Sequence, residues 1–190
     1  SVKVLRSILL IGLILSTSGY LFAQDSLRIM NAVRVSDKIK IDGILNEPAW
    51  EAAEVFHGKF YQLSPDNGAE ASYNSRLYLG YDNRALYVAA KFYDPDPQSI
   101  PQELGDRDDF EINVDAFGIS FDPVKKGQNG FMYIVTAAGV QADAIMTSRS
   151  FDENWDAVWN SEVAITDDGW IVEIEIPYSA IRFPNKERMR

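Results

Sequence analysis

The chain has 190 residues, of which 46% are hydrophobic and 24% charged, and these proportions are typical of a folded globular protein. It contains no cysteine, which excludes disulfide frameworks, thiolate zinc sites and a cysteine nucleophile. The formal net charge of -10 argues against a nucleic-acid partner, because phosphate binding needs clustered Lys and Arg. Neutral ligands such as sugars remain open, as do divalent cations.

The first 23 residues have the features of a secretory signal peptide. Lys3 and Arg6 form a positive n-region, residues 8–15 form a short apolar h-region, and Ala23 suits the cleavage position. The apolar run is too short for a transmembrane helix, which needs about 20 residues. We therefore expect export across a bacterial inner membrane, to the periplasm, the outer membrane or the exterior.

The remainder, residues 24–190, alternates apolar and polar residues in many short runs, which predicts strands. One short helix is expected first, over residues 47–53, with Asn46 as its N-cap. A hairpin follows, with strands near residues 76–81 and 86–92. Further strands are expected near residues 117–121, 131–135, 140–146, 159–165 and 170–176, and a second helical turn near 177–181. This spacing predicts an all-β, antiparallel β-sandwich of jelly-roll type with one or two short helices.

The alternation also predicts which side chains are buried. Trp159 and Trp170 fall on the apolar faces of their strands, while Glu173 and Glu175 are expected outside. Trp50 has helical spacing with Ala53 and is expected to close one end of the sandwich.

Signals for catalysis are weak. The chain has no nucleotide-binding motif, and its single histidine, His57, has no nucleophile signature nearby. A glycosidase would need two carboxylates about 5–10 Å apart. The candidates for such a pair are Asp108, Asp109, Asp115, Asp156, Glu173 and Glu175.

Two acidic turns are candidate calcium sites. One contains Asp94 and Asp96, and the other contains Asp152 and Asp156. The second turn lacks the glycine and glutamate of an EF-hand loop, so it is not one. Solvated turn carboxylates are the simpler interpretation of both. No cofactor is required, and calcium is a candidate structural ion.

Trp155 differs from the other three tryptophans because it lies among polar loop residues. Aromatic rings bind the apolar faces of sugars, and nearby polar groups bind the hydroxyls. We predict Trp155 as a stacking platform, with Asn154, Asp152, Arg107 and Asp109 around it. Plain packing is an equally good explanation of this ring, and the alternative location for a ligand is the loop of residues 94–109.

Several segments resemble family 9 carbohydrate-binding modules. They are Ile41–Trp50, Leu86–Val88, Asp94–Pro97 and Asp168–Tyr178. A further set is similar to the N-terminal domains of large secreted bacterial proteins in which a long β-rich region follows: Arg107–Asp109, Val135–Gln141 and Trp155–Trp159. The resemblance implies a β-sandwich whose sugar site is a clamp of two tryptophans. This chain departs from it at Gly118, where the family often has glutamate, and it has no tryptophan in residues 94–116.

The sequence as a whole predicts a non-catalytic carbohydrate-binding module that attaches a larger secreted or surface protein to a polysaccharide. Its expected partners are a polysaccharide or oligosaccharide and the remainder of a longer β-rich polypeptide. One alternative is an accessory domain of an outer-membrane protein that has lost sugar binding. The other is part of a polysaccharide-degrading glycoside hydrolase.

Overall fold

The computed structural model describes residues 30–56, 60–62, 66–108, 114–123, 129–147 and 150–181. The predicted signal peptide, His57 and the site residue Asp109 lie outside these ranges. The strands of the described part are β1 (Val33–Arg34), β2 (Glu54–Val55), β3 (Ser75–Tyr81), β4 (Ala85–Tyr93), β5 (Ala116–Phe121), β6 (Asn129–Thr136), β7 (Gln141–Thr147), β8 (Phe151–Asp152), β9 (Asn160–Thr166) and β10 (Gly169–Pro177).

These strands form two sheets. The first has the order β1-β3-β4-β10-β9, with β2 also paired to β3, and the second has the order β5-β6-β7-β8. All pairs are antiparallel except β1 with β3. The predicted hairpin β3–β4 is present, the strands expected near residues 159–165 and 170–176 pair as the hairpin β9–β10, and the all-β sandwich is confirmed.

Helical structure is short, as expected. The α-helix α1 covers Pro48–Ala52, and its N-cap is Glu47 instead of the predicted Asn46. Single 3-10 turns cover Pro97–Ser99 and Tyr178–Ala180. In the part of the chain that the structure describes, no helix is long and apolar enough to cross a membrane.

The main core lies between the two sheets. The inward side chains of β4 and β10, such as Val88 and Val172, meet those of β6, such as Tyr133 and Val135, and all four are fully buried. Trp159 and Trp170 belong to this core, which confirms their predicted burial. The ring of Trp170 stacks on Phe92 with centroids 4.7 Å apart.

A second apolar cluster covers the outer face of the first sheet. Residues of the N-terminal segment and of α1 pack there against Tyr87 and Ala89 of β4. Trp50 is buried in this cluster, so its predicted burial is confirmed, but it covers a sheet face and does not close one end of the sandwich. Because both faces of the first sheet are covered, β10 has no solvated side at its centre. The prediction that Glu173 lies outside is therefore wrong: this side chain is fully buried.

Candidate functional site

Arg107 is held by a network of acceptors between the loop that precedes β5 and the second sheet. Its Nη1 donates to Oε1 of Gln141 at 2.6 Å, and its Nη2 donates to Oδ2 of Asp143 and to the carbonyl of Ala157. Its Nε lies 3.5 Å from an Asp156 carboxylate oxygen. The guanidinium predicted to contact a sugar therefore already has several partners within the protein.

Asp143 is the buried centre of this network. In the pairing of β6 with β7 it stands opposite Tyr133, so it points into the core while Ala142 and Ala144 point outwards. Besides Arg107, the carboxylate accepts the backbone N–H of Ala157 at 2.8 Å and the indole N–H of Trp159 at 2.9 Å. This one side chain thus fixes the end of the loop that carries Trp155.

Asp108 completes the connection to β7. Its backbone has a φ of 64°, an uncommon conformation for a residue other than glycine. Its Oδ1 accepts the N–H of Asp143 at 2.9 Å, and its own N–H donates to the carbonyl of Gln141 at 3.1 Å. Arg107 and Asp108 therefore attach their loop to β7 through both backbone and side chains.

Trp155 is half-buried, and one side of its ring rests on the core. Its centroid is 5.1 Å from that of Phe131 and 6.0 Å from that of Tyr133. Asp152 and Asn154 are exposed beside it, and the Asn154 N–H donates to the Asp152 carboxylate at 3.2 Å. This arrangement leaves part of an aromatic ring next to polar groups, as a sugar platform requires, and it also lets the ring serve in packing.

In the described residues, the carboxylates of the two acidic turns make local contacts and do not come together as a set of metal ligands. Oδ1 of Asp94 accepts the N–H of Asp96 at 2.7 Å, which is an ordinary turn contact. Asp152 makes the equivalent contact with Asn154, and Asp156 faces Arg107. Within the described residues, no three or more acidic or histidine side chains are grouped to hold a metal ion. Calcium binding stays a prediction.

A second aromatic site lies near the start of β3 and the end of β4. It is a pocket of about 190 Å³ lined by Tyr73, Ser75, Phe92, Tyr93, Asp94, Asp115, Ala116 and Trp170. Tyr73 is 53% exposed, so its ring is available to a ligand. Burial, and then the negative charge of Asp94, raise the pKa of Asp115. The pocket combines aromatic rings, hydroxyl groups and two aspartates in one concave surface.

Sequence reasoning missed Tyr73. The signal was the same one that singled out Trp155, an aromatic residue among small and polar neighbours, here in Ala71–Asn74. The sequence predicted Asp94 as a candidate calcium ligand and as the start of an alternative ligand-binding loop, and Asp115 as a candidate catalytic carboxylate, but it did not bring the two together. Their meeting depends on the packing of the two sheets, since they lie at the end of β4 and just before β5.

Gly118, where this chain departs from the family pattern, lies on the outer face of the second sheet. Gly118 is exposed on this face, because its neighbours Phe117 and Ile119 point into the core. It pairs with Ile134, and an added Cβ would lie 3.2 Å from the Cγ1 of that residue. An apolar neighbour therefore stands where the family's glutamate would project.

Glu173 binds the segment Ile41–Trp50, which is one of the segments that resemble family 9 carbohydrate-binding modules. Its Oε2 accepts the N–H of Asp42 at 2.9 Å and that of Gly43 at 2.7 Å, and its Oε1 accepts the indole N–H of Trp50 at 2.8 Å. Gly43 has a φ of +79° and lies against β9, where a Cβ would be 3.1 Å from that of Ala164. The motif is thus a structural connection between the N-terminal segment and β10.

The described residues form an antiparallel two-sheet β-sandwich with partly exposed aromatic rings on its surface. No family model matches the chain, and no curated protein matches it in sequence. Solved structures do match in fold. One is a carbohydrate-binding module of family 9 from Caldicellulosiruptor kristjanssonii in complex with glucose, with a TM-score of 0.54 and 18% identity over 84% of this chain and 72% of that one.

The same kind of module from that organism, in complex with cellotriose, gives a TM-score of 0.56 and 18% identity, over 82% of this chain and 70% of that one. The domain is therefore CBM9-like in fold. At this level of identity, the likeness concerns the arrangement of the two sheets and leaves the ligand of this chain to be argued separately.

Proposed function

We propose that this chain is a non-catalytic carbohydrate-binding module that attaches a larger secreted or outer-membrane-associated protein to a polysaccharide. The observation that carries the proposal is the likeness in fold to modules solved with glucose and with cellotriose, which extends over most of the chain. The partly exposed rings of Trp155 and Tyr73 support it, because each lies beside polar side chains that suit sugar hydroxyls.

Binding is expected to be weak. Tyr73 is the most exposed of the aromatic residues that line its pocket, Trp155 is half-buried, and a good aromatic contact contributes about 0.5–1.5 kcal/mol beyond the area that it buries. A dissociation constant in the millimolar range, about -4 kcal/mol, is the expected result. Titration calorimetry of the full chain with glucose, cellotriose and xylotriose measures it.

Two variants show which surface binds. We expect Trp155→Ala or Tyr73→Ala, but not both, to weaken the affinity severalfold, so each variant is the control for the other. Because Trp155 also packs on the core, circular dichroism must show that its variant is folded. If both variants bind the sugars with unchanged affinity, the sugar binds at another surface. If the wild type gives no heat of binding, the alternative of an accessory domain that has lost sugar binding is favoured.

The hydrolase alternative has its own readout. A glycosidase holds two carboxylates on either side of the scissile bond. Asp94 and Asp115 share a pocket, so they are the pair to test. Incubation with cellotriose and xylotriose should release no reducing ends. Release that disappears in Asp115→Asn would replace the binding proposal with an enzymatic one.

A further inference from the structure

The pocket beside Tyr73 is more acidic than a neutral sugar requires. Asp94 and Asp115 both line it, and no lysine, arginine or histidine does among the described residues. Asp115 is exposed at the edge of the pocket, and the part of it that is buried, and then the charge of Asp94, raise its pKa. Two carboxylates that face the same small space without a counter-charge are suited to a cationic ligand.

Two basic side chains lie near Tyr93, one of the lining residues of this pocket, and both have partners there. The Lys91 ammonium is 2.7 Å from an Asp168 carboxylate oxygen and 5.1 Å from the centre of the Tyr93 ring. The Arg76 guanidinium lies 5.8 Å from the same ring centre. Both contact Tyr93, and neither lines the pocket, so the charges of Asp94 and Asp115 remain available to a ligand.

An organic cation fits these walls better than a metal ion does. Calcium takes 6–8 oxygen ligands, whereas this pocket offers two carboxylates and the hydroxyl of Ser75 between aromatic rings. An ammonium group on a carbon ring uses both kinds of wall, since carboxylates bind the charge and aromatic faces accept the ring and the cation. The volume of about 190 Å³ suits a single ring-sized group and is below the range of drug-sized sites.

We propose that this pocket binds the protonated amine of an amino sugar, with the ammonium between Asp94 and Asp115 and the sugar ring against Tyr73. The inference rests on the proposed carbohydrate-binding function and narrows its substrate class. The exposed flat ring of Tyr73 and the hydroxyl of Ser75 favour a sugar over the slender chain of a lysine. The net charge of -10 would also attract a polymer of such sugars at low ionic strength.

The test compares ligands that differ in one group. Titration calorimetry of the full chain is carried out with glucosamine, glucose and N-acetylglucosamine, at a pH where the amine is protonated and the carboxyls are ionised. Glucosamine should bind about tenfold more tightly, because a charge-assisted hydrogen bond contributes about 1.5–3 kcal/mol. Nα-acetyl-lysine amide is the probe for a peptide amine.

Two matched aspartate variants test whether Asp115 supplies the charge that binds the amine. Asp115→Asn should remove the preference for glucosamine, whereas Asp96→Asn should keep it, because Asp96 is an exposed acid of the neighbouring turn outside the pocket lining. The preference should also fall when the pH is lowered through the pKa of Asp115, which lies above the usual value for an aspartate.

Each outcome separates this inference from the proposed function. Equal affinity for glucose and glucosamine would overturn the inference and leave the carbohydrate-binding function standing. Equal affinity for the lysine amide and glucosamine would overturn both the amino-sugar inference and the carbohydrate-binding function for this pocket, since the pocket would then recognise the amine alone. Loss of the preference in both aspartate variants would mean that overall charge, and not this pocket, selects the amine.

Discussion

Replacing Glu173 with alanine is expected to lower the free energy of unfolding by about 3–5 kcal/mol. The carboxylate accepts hydrogen bonds from the N–H groups of Asp42 and Gly43 and from the indole of Trp50, and all of these would lose their acceptor inside the protein. Each buried donor left unpaired costs about 1–3 kcal/mol. Removing a desolvated carboxylate offsets part of that loss, so the expected total is below the sum of the separate penalties.

Urea unfolding followed by far-UV circular dichroism measures this loss, with the denaturant slope checked for constancy between variants. The control is Glu162→Ala, which removes an exposed carboxylate from the position opposite Glu173 in the pairing of β9 with β10. It should change the free energy of unfolding by less than about 0.5 kcal/mol. A loss below about 1 kcal/mol in Glu173→Ala would show that the N-terminal segment is not held by this side chain.

The isosteric variant Glu173→Gln adds a dependence on pH. Burial raises the pKa of Glu173, so at pH values between the ordinary and the raised pKa the folded state holds a proton that the unfolded state has lost. Stability conferred by the wild-type side chain therefore falls as the pH rises through that interval, whereas glutamine does not titrate. We expect the variant to gain stability relative to the wild type across the interval and the difference to stay constant above it. An opposite trend would mean that the hydrogen bonds outweigh the burial.

Local patterns in the sequence were sufficient for the β-sandwich. Period-two alternation and polar turns identified the hairpins, and they placed Trp159 and Trp170 correctly in the core. The prediction for Glu173 failed because it assumed one solvated face for β10, while the N-terminal segment, which has no periodic signal, covers that face. A covering segment of this kind is visible only in the tertiary structure.

The contacts in the site between residues distant in the chain could not be predicted from the sequence either. Ala142 and Ala144 look like the core face of β7, yet the register with β6 turns Asp143 inwards. Its charged partner, Arg107, is distant along the chain, so only the folded structure brings them together. We predicted from the sequence that Arg107 contacts a sugar, because this residue lies among polar residues. The sequence contains no signal that its guanidinium forms an ion pair with Asp143.

The contact between the buried carboxylate of Asp143 and the partly exposed guanidinium of Arg107 predicts a second large effect of a single substitution. Asp143→Ala should lower the free energy of unfolding by about 4 kcal/mol, because the N–H of Ala157 and the indole N–H of Trp159 each lose their acceptor, at about 1–3 kcal/mol apiece, and the partly exposed Arg107 loses its counter-charge. Arg107→Ala should cost less, about 3 kcal/mol, because the indole and backbone donors still partly compensate the buried carboxylate. The control is Glu153→Ala, an exposed acid of the same loop, with an effect below about 0.5 kcal/mol.

A double-mutant cycle separates the ion pair from the rest of the network. Once Asp143 is alanine, Arg107 has lost its buried counter-charge, so the double variant should be less destabilised than the sum of the single variants by about 1–3 kcal/mol. The near-UV circular dichroism spectrum of Asp143→Ala should also differ from that of the wild type. The carboxylate accepts hydrogen bonds from Ala157 and Trp159, which follow Trp155 in the chain, so its loss should change the environment of these aromatic rings. Strict additivity, with an unchanged aromatic spectrum, would mean that the loop carrying Trp155 is positioned by its packing on Phe131 and Tyr133 and not by this carboxylate.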